Sequence, residues 1–194
     1  MKIPLSILIF FICILVGCSN PIENKSIPTQ QPPKFKLDAF LDNYIDSNKN
    51  WNQNDIIRER NNNKFKTILE TKLKEGLLDD IPVKLVEIKE YSKGLYAAHF
   101  DDYSLIGAIE NKDIHFDIIG LVDEKTISIL VENKFYFVKG KFKQFLYKDF
   151  VNYIDGNAYT WRTSLESKGG LGIEVNLGIL LMDVEQVTPV PETT

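Results

Sequence analysis

From Phe35 onward, apolar side chains recur first with the period of a helix and then with the period of a strand. Leu37, Phe40, Leu41, Tyr44 and Ile45 stand at i, i+3, i+4, i+7 and i+8, one stripe along a helix over 35–47. Asp38, Asp42, Asn43 and Asp46 take its other side. A polar stretch, 48–54, holds Trp51 in its middle. A second helix is expected over 55–75, with Asn54 as N-cap and Gly76 as stop. Its stripe is Ile57, Phe65, Ile68, Leu69 and Leu73. Asn is a poor helix former, so the run Asn61-Asn62-Asn63 is where this helix would break.

Beyond Ile81 the runs become short, β-branched and aromatic, at 83–90, 95–100, 105–109, 114–122, 126–132, 135–147, 159–164 and 173–187. Turn-forming residues separate them, and Asp79-Asp80-Ile81-Pro82 reads as the turn that launches the first strand. Lys168-Gly169-Gly170-Leu171-Gly172 precedes a strand instead of opening a helix, so it reads as a hairpin loop and not a phosphate cradle. Residues 188–194 read as a disordered tail. The pattern gives one α+β domain: a helical segment, 35–80, whose two helices pack on an antiparallel β-barrel or sheet, 81–187.

The first residues follow a different rule. Lys2 is the only charge before Glu23, and the apolar run 3–16 falls short of the ~18–20 residues that span a bilayer. It closes on Leu15-Val16-Gly17-Cys18. These four residues resemble the lipobox of bacterial lipoproteins. The resemblance implies a signal peptide over 1–17, cleavage after Gly17, and palmitate-type acyl chains on the thiol and new amino terminus of Cys18. Several chains on one residue exceed the marginal binding that a single chain gives. The resemblance places the protein in the cell envelope, anchored to the membrane through Cys18. Ser19 in place of Asp implies the outer membrane where the cell has one. Four prolines in 19–34 make 18–34 an extended spacer, reaching roughly 50 Å at ~3.1 Å per residue.

Only two cysteines are present, Cys13 and Cys18, so a processed domain keeps no disulfide and no thiol metal ligand. A net charge of −4 argues against nucleic acid as a partner. Two segments, Phe135 to Phe142 with its Val138-Lys139-Gly140, and Gly178 to Val187, are similar to the later strands of OB-fold barrels. An OB-like barrel is what that resemblance implies, with 148–172 as an insertion into it.

Candidate chemistry is sparse. The two histidines both sit in His-Phe-Asp, and His99, Asp101, His115 and Asp117 could converge as a metal shell if their strands pair. Otherwise Phe100 and Phe116 face the core and the polar residues form the wet side. Lys139, Lys141 and Lys143 line one face of a strand with no acid among them, a contact for an anion or a partner, or a protected edge. Tyr153, Tyr159, Trp161 and Arg162 could form an aromatic platform for a sugar. Asp46-Ser47-Asn48 resembles the start of an EF-hand loop, but Trp51 and Ile57 stand where that loop needs Gly and Glu. No nucleophile elbow surrounds any Ser, and no cofactor is expected. The reading that follows is a non-enzymatic binding or assembly module of the envelope, contacting an envelope protein or glycan. The alternatives are a metal-dependent hydrolase using His99 and His115, or an immunity or inhibitor lipoprotein.

Overall fold

The computed structural model describes residues 35–102, 112–146 and 163–191. Helix α1 spans Lys36–Ser47 and α2 spans Asp55–Lys74. Strands β1, Ile81–Ser92, and β2, Leu95–Asp102, form a hairpin. β3 covers Lys112–Asp123, a single-turn helix α3 covers Glu124–Ile127, and β4 covers Phe135–Phe145. β5, Ser164–Ser167, and β6, Ile173–Pro189, complete the fold. The architecture is α+β and rich in strands, with three helices and one six-stranded, mostly antiparallel sheet.

Local chemistry sets the helix ends. At the start of α1 the Phe35 N–H donates to Asp38 Oδ2 at 3.2 Å, and at its end Asn48 Nδ2 donates to the Tyr44 carbonyl at 2.7 Å. Asn48, a candidate ion ligand in sequence, is therefore a helix cap. Asn54 Oδ1 accepts the Ile57 N–H at 2.9 Å, and Gly76 takes a φ of +77°, as the sequence predicts for the start and stop of α2. The interhelical stretch is less polar in role than in composition, because Trp51 is buried. Asp80, at φ +64°, makes the turn into β1.

The strands pair β1 with β2 and β4, β2 with β3, β4 with β6, and β5 with β6, all antiparallel. β3 takes β2 on one side and, in parallel, β6 on the other. One face of the sheet joins the helices in the main core, where Phe100, Phe116, Leu85 and Leu180 meet Leu41, Phe65 and Leu69. Phe40 stacks on Phe65 at its margin and Tyr44 is tilted against both, with centroids 4.9–6.1 Å apart. The opposite face of β2, β3 and β6 is also buried: Ala97, Ile119, Leu121, Ile179 and Leu181 form a second cluster with Leu146. Burial on both faces explains why Ile118-Ile119-Gly120-Leu121-Val122 reads as a continuous apolar run.

Two expectations are corrected. The 126–132 run is not a strand, because Asp123 Oδ1 accepts the Thr126 N–H at 2.7 Å and starts the helical turn of α3. The tail does not begin at 188, since Thr188 and Pro189 still pair with Phe137 and Tyr136 of β4. The segment 105–109 lies outside the described residues, as do 1–34 and 147–162.

Candidate functional site at the seam of α2 and the sheet

The buried stripe of α2 runs Leu73, Leu69, Phe65 toward its N-terminus. Continuing the same helical spacing, the next positions on that face are Asn62 and Arg58, both polar. The apolar seal between α2 and the sheet therefore stops at Phe65, and the seam opens into a cleft of about 670 Å³. One wall is α2, with Asp55, Arg58, Glu59, Asn62, Asn63 and Lys66. The other is the end of β4, with Phe145 and Leu146, together with Ser164 and Glu166 of β5 and Gly178 and Ile179 of β6. Gly178, at φ +84°, lets the backbone of β6 bend at its bulge, where its N–H donates to Asn176 Oδ1 at 2.8 Å.

The Asn run does not break the helix, because Asn62 has a partner elsewhere in the fold. Its Oδ1 accepts the Leu165 N–H of β5 at 3.0 Å, tying the edge strand to α2. Asn61 Nδ2 likewise donates to the Trp51 carbonyl at 3.2 Å. Replacing Asn62 with Ala orphans a half-buried N–H and is expected to cost about 1–2 kcal/mol. Faster amide exchange at Leu165 and Ser167 than in the core strands checks this, and an unchanged β5 would contradict it.

Around the cleft, Arg58 pairs with Asp55 at 2.9 Å. Lys66 Nζ rests over the Phe145 ring, 5.3 Å from its centroid. Among the described residues, Glu59 and Glu166 have no ion-pair partner. Such a cleft offers a concave shape, amide and carboxylate groups and one aromatic surface.

The two histidines sit elsewhere, on β2 and β3. Phe100 and Phe116 face the main core as the alternation predicts. The opposite side is not wet, however. His99 and Asp117 lie on the second buried face, beside Ala97 and Ile119, with side chains 13% and 10% exposed and Nε2···Oδ1 at 2.9 Å. Asp117 is the one buried charged residue among those described, and the imidazole partner accounts for its tolerance there. His115 goes to different carboxylates, Asp102 at 3.5 Å and Asp113 at 3.3 Å. Asp101 stands opposite Asp117 in the strand register. The structure thus unites His99 with Asp117 but not the four residues in one shell. Among the described residues no group of three His, Cys, Asp or Glu side chains is arranged to hold a metal ion.

Asp102, the chain neighbour of the candidate Asp101, is strongly perturbed. Burial, then a hydrogen bond with Asp101 and the charges of Asp101, Asp117 and Asp113, push its pKa up to about 8. Nearby, a hydrogen bond from Lys168 holds Asp113 below the usual carboxylate range.

The lysine stripe is not unopposed. Lys141 pairs with Glu185 at 2.6 Å and Lys143 with Asp183 at 3.0 Å, both acids coming from β6. Lys139 stands opposite Gln186. Much of the positive charge that the sequence presents as free is thereby neutralised across the strand pair. Tyr153, Tyr159, Trp161 and Arg162 lie outside the described residues, as do Gly17 and Cys18. The cleft is the feature that sequence reasoning missed. Its one local signal was the absence of apolar residues on the buried face of α2 between Ile57 and Phe65. Compared with protein-family models, with curated proteins and with solved structures, the chain finds no match.

Proposed function

We propose that this chain is a lipid-anchored lipoprotein of the cell envelope whose domain acts as a binding or assembly module. The cleft between α2 and the sheet carries the binding role. It has the volume of a small-ligand site, and its lining is built from residues of about three helical turns and three strands. The anchor rests on Leu15-Val16-Gly17-Cys18, with the spacer 18–34 holding the domain away from the lipid surface of the outer membrane. We read the domain as an OB-like barrel. The pairings run β1–β2–β3–β6–β4 and return to β1, a five-strand circuit of the size an OB fold uses, with β5 added at the edge. The partner is an envelope protein or glycan.

The anchor is tested by labelling cells with radioactive palmitate. The wild type takes up label and sediments with membranes, while Cys18→Ser loses both label and processing. An unlabelled wild type overturns the anchor. Crosslinking of the membrane-bound protein, followed by recovery of its partner, tests the module. A partner whose crosslinks survive blockage of the cleft, through a bulky substitution at Asn63, would overturn the assignment of the cleft.

A further inference from the structure

β1 has a longer partner on one side than on the other. β2 accompanies it to Ser92, but β4 pairs with it only from Ile81 to Lys84. At Leu85 the turn 131–134 takes over. The Leu85 N–H donates to the Lys134 carbonyl at 2.9 Å, and the Asn133 N–H donates to the Leu85 carbonyl at 2.8 Å. Beyond that point no described strand pairs with this edge. Val86 is the extra residue of a bulge, so Ile88 is the next to turn its N–H and C=O away from β2. An open edge of this kind is a template for pairing with another chain. Apolar surface gathers at the same place. Among the described residues five large hydrophobic side chains are exposed, and four of them, Val86, Tyr91, Ile129 and Val131, come from this edge and from the α3–β4 connection that closes it. Val131 is 58% exposed yet held in place, its N–H donating to the Tyr136 hydroxyl at 2.8 Å.

Building on the assembly role proposed above, we infer that the open edge of β1 pairs with the same edge of a second copy of this chain, antiparallel and two-fold about Ile88. The charges select that register. With Ile88 facing Ile88, Glu87 faces Lys89 of the second copy and Lys89 faces its Glu87, so two acid–base pairs form across the axis. Within one chain these two side chains already meet at 2.7 Å, opposite His99 and Ala97 of β2. Centring the axis on Glu87 or on Lys89 would set like charges against each other. The same two-fold carries Tyr91 of each copy toward the turn 131–134 of the other, where Val131 stands exposed. A neutral extended segment of another protein would gain the edge bonds but neither charge pair. Edges this short bury less than the about 1,600 Å² of a typical stable complex, so the association is weak and falls with salt. Anchoring both copies in one membrane raises their effective concentration.

The test follows the full chain in neutral detergent, with micelles in excess over protein, by sedimentation equilibrium. The wild type is expected to dimerise in the range of about 10–100 µM at low salt. Glu87→Lys and Lys89→Glu should each weaken that dimer at least tenfold, because each sets like charges across the axis. Their equimolar mixture should recover it, since the two lysines of one variant then face the two acids of the other. Repair within a chain cannot produce that recovery, because each variant keeps its own like-charged pair. Both side chains are partly exposed, so the fold should persist, and an unchanged circular dichroism spectrum verifies it. A wild type that stays monomeric, a dimer indifferent to both substitutions, or a mixture no more associated than its components overturns the inference. Each of these leaves the binding role standing, which the crosslinking above decides separately. Crosslinks from a different protein to Val86 or Tyr91 also overturn it, and assign the edge to that protein.

Discussion

Gly140→Ala is expected to destabilise the domain by about 2–4 kcal/mol, more than adding one methyl group usually does in a packed interior. A Cβ built on Gly140 lies 2.3 Å from the Asp183 carbonyl oxygen, 3.0 Å from Val184 Cα and 3.1 Å from the Asp183 carbonyl carbon. All three are backbone atoms. A flexible side chain could swing aside, but here relief requires β6 to move away from β4. Those strands pair antiparallel on both sides of this point, with a bulge between Lys139 and Gly140. The substitution therefore strains the pairing itself. Urea denaturation measures the loss, and a variant within 0.5 kcal/mol of wild type would show that the strands are not this close. The same residue completes the Val138-Lys139-Gly140 pattern noted in the sequence, and the close strand approach is a physical reason for Gly there.

The second large effect is pH-dependent and centres on Asp102. Its folded-state pKa of about 8 lies above the ordinary value of 3.8, so the folded chain holds a proton that the unfolded chain gives up. The sign follows from that excess. The contribution to stability is complete below about pH 4, falls as pH rises, and is gone above about pH 8. The side chain is 23% exposed, and water at the group reduces what the shift would otherwise be worth. We expect an excursion of about 1–2 kcal/mol. Asp102→Asn keeps a hydrogen-bond donor for Asp101 and removes the titration. The variant should match wild type near pH 4 and exceed it by about 1–2 kcal/mol at pH 8.5. Parallel stability curves across that range would contradict the assignment.

What the sequence disclosed depended on whether the deciding partner was near in the chain. Both long helices were legible, the second with its start and stop, because Asn54 and Gly76 act within one turn; the bond from the Phe35 N–H to Asp38 at the start of the first was not foreseen. Most strands were legible for the same reason, including the two that pair as the β1–β2 hairpin. Three features hung on distant contacts and were not. The continuity of α2 through Asn61-Asn62-Asn63 depends on Trp51 and on Leu165 of β5. The neutralised lysines depend on Asp183 and Glu185. His99 and Asp117 face each other across neighbouring strands, whereas the sequence offered them as half of one shell with Asp101 and His115. The 126–132 error was local: alternating β-branched residues outvoted a single capping Asp. The cleft arises where an apolar stripe stops, and an interruption is harder to notice in a sequence than a pattern.

The parallel union of β3 with β6 governs how this domain must be made. β3 ends at Asp123 and its neighbour starts at Ile173, so the emerging chain has to wait through α3, β4 and β5. Until then Ile118 through Val122 presents an open strand edge, apolar on both sides. Nascent molecules halted before Ile173 would be prime substrates for holdase chaperones and proteases, and self-association would compete with maturation during that interval.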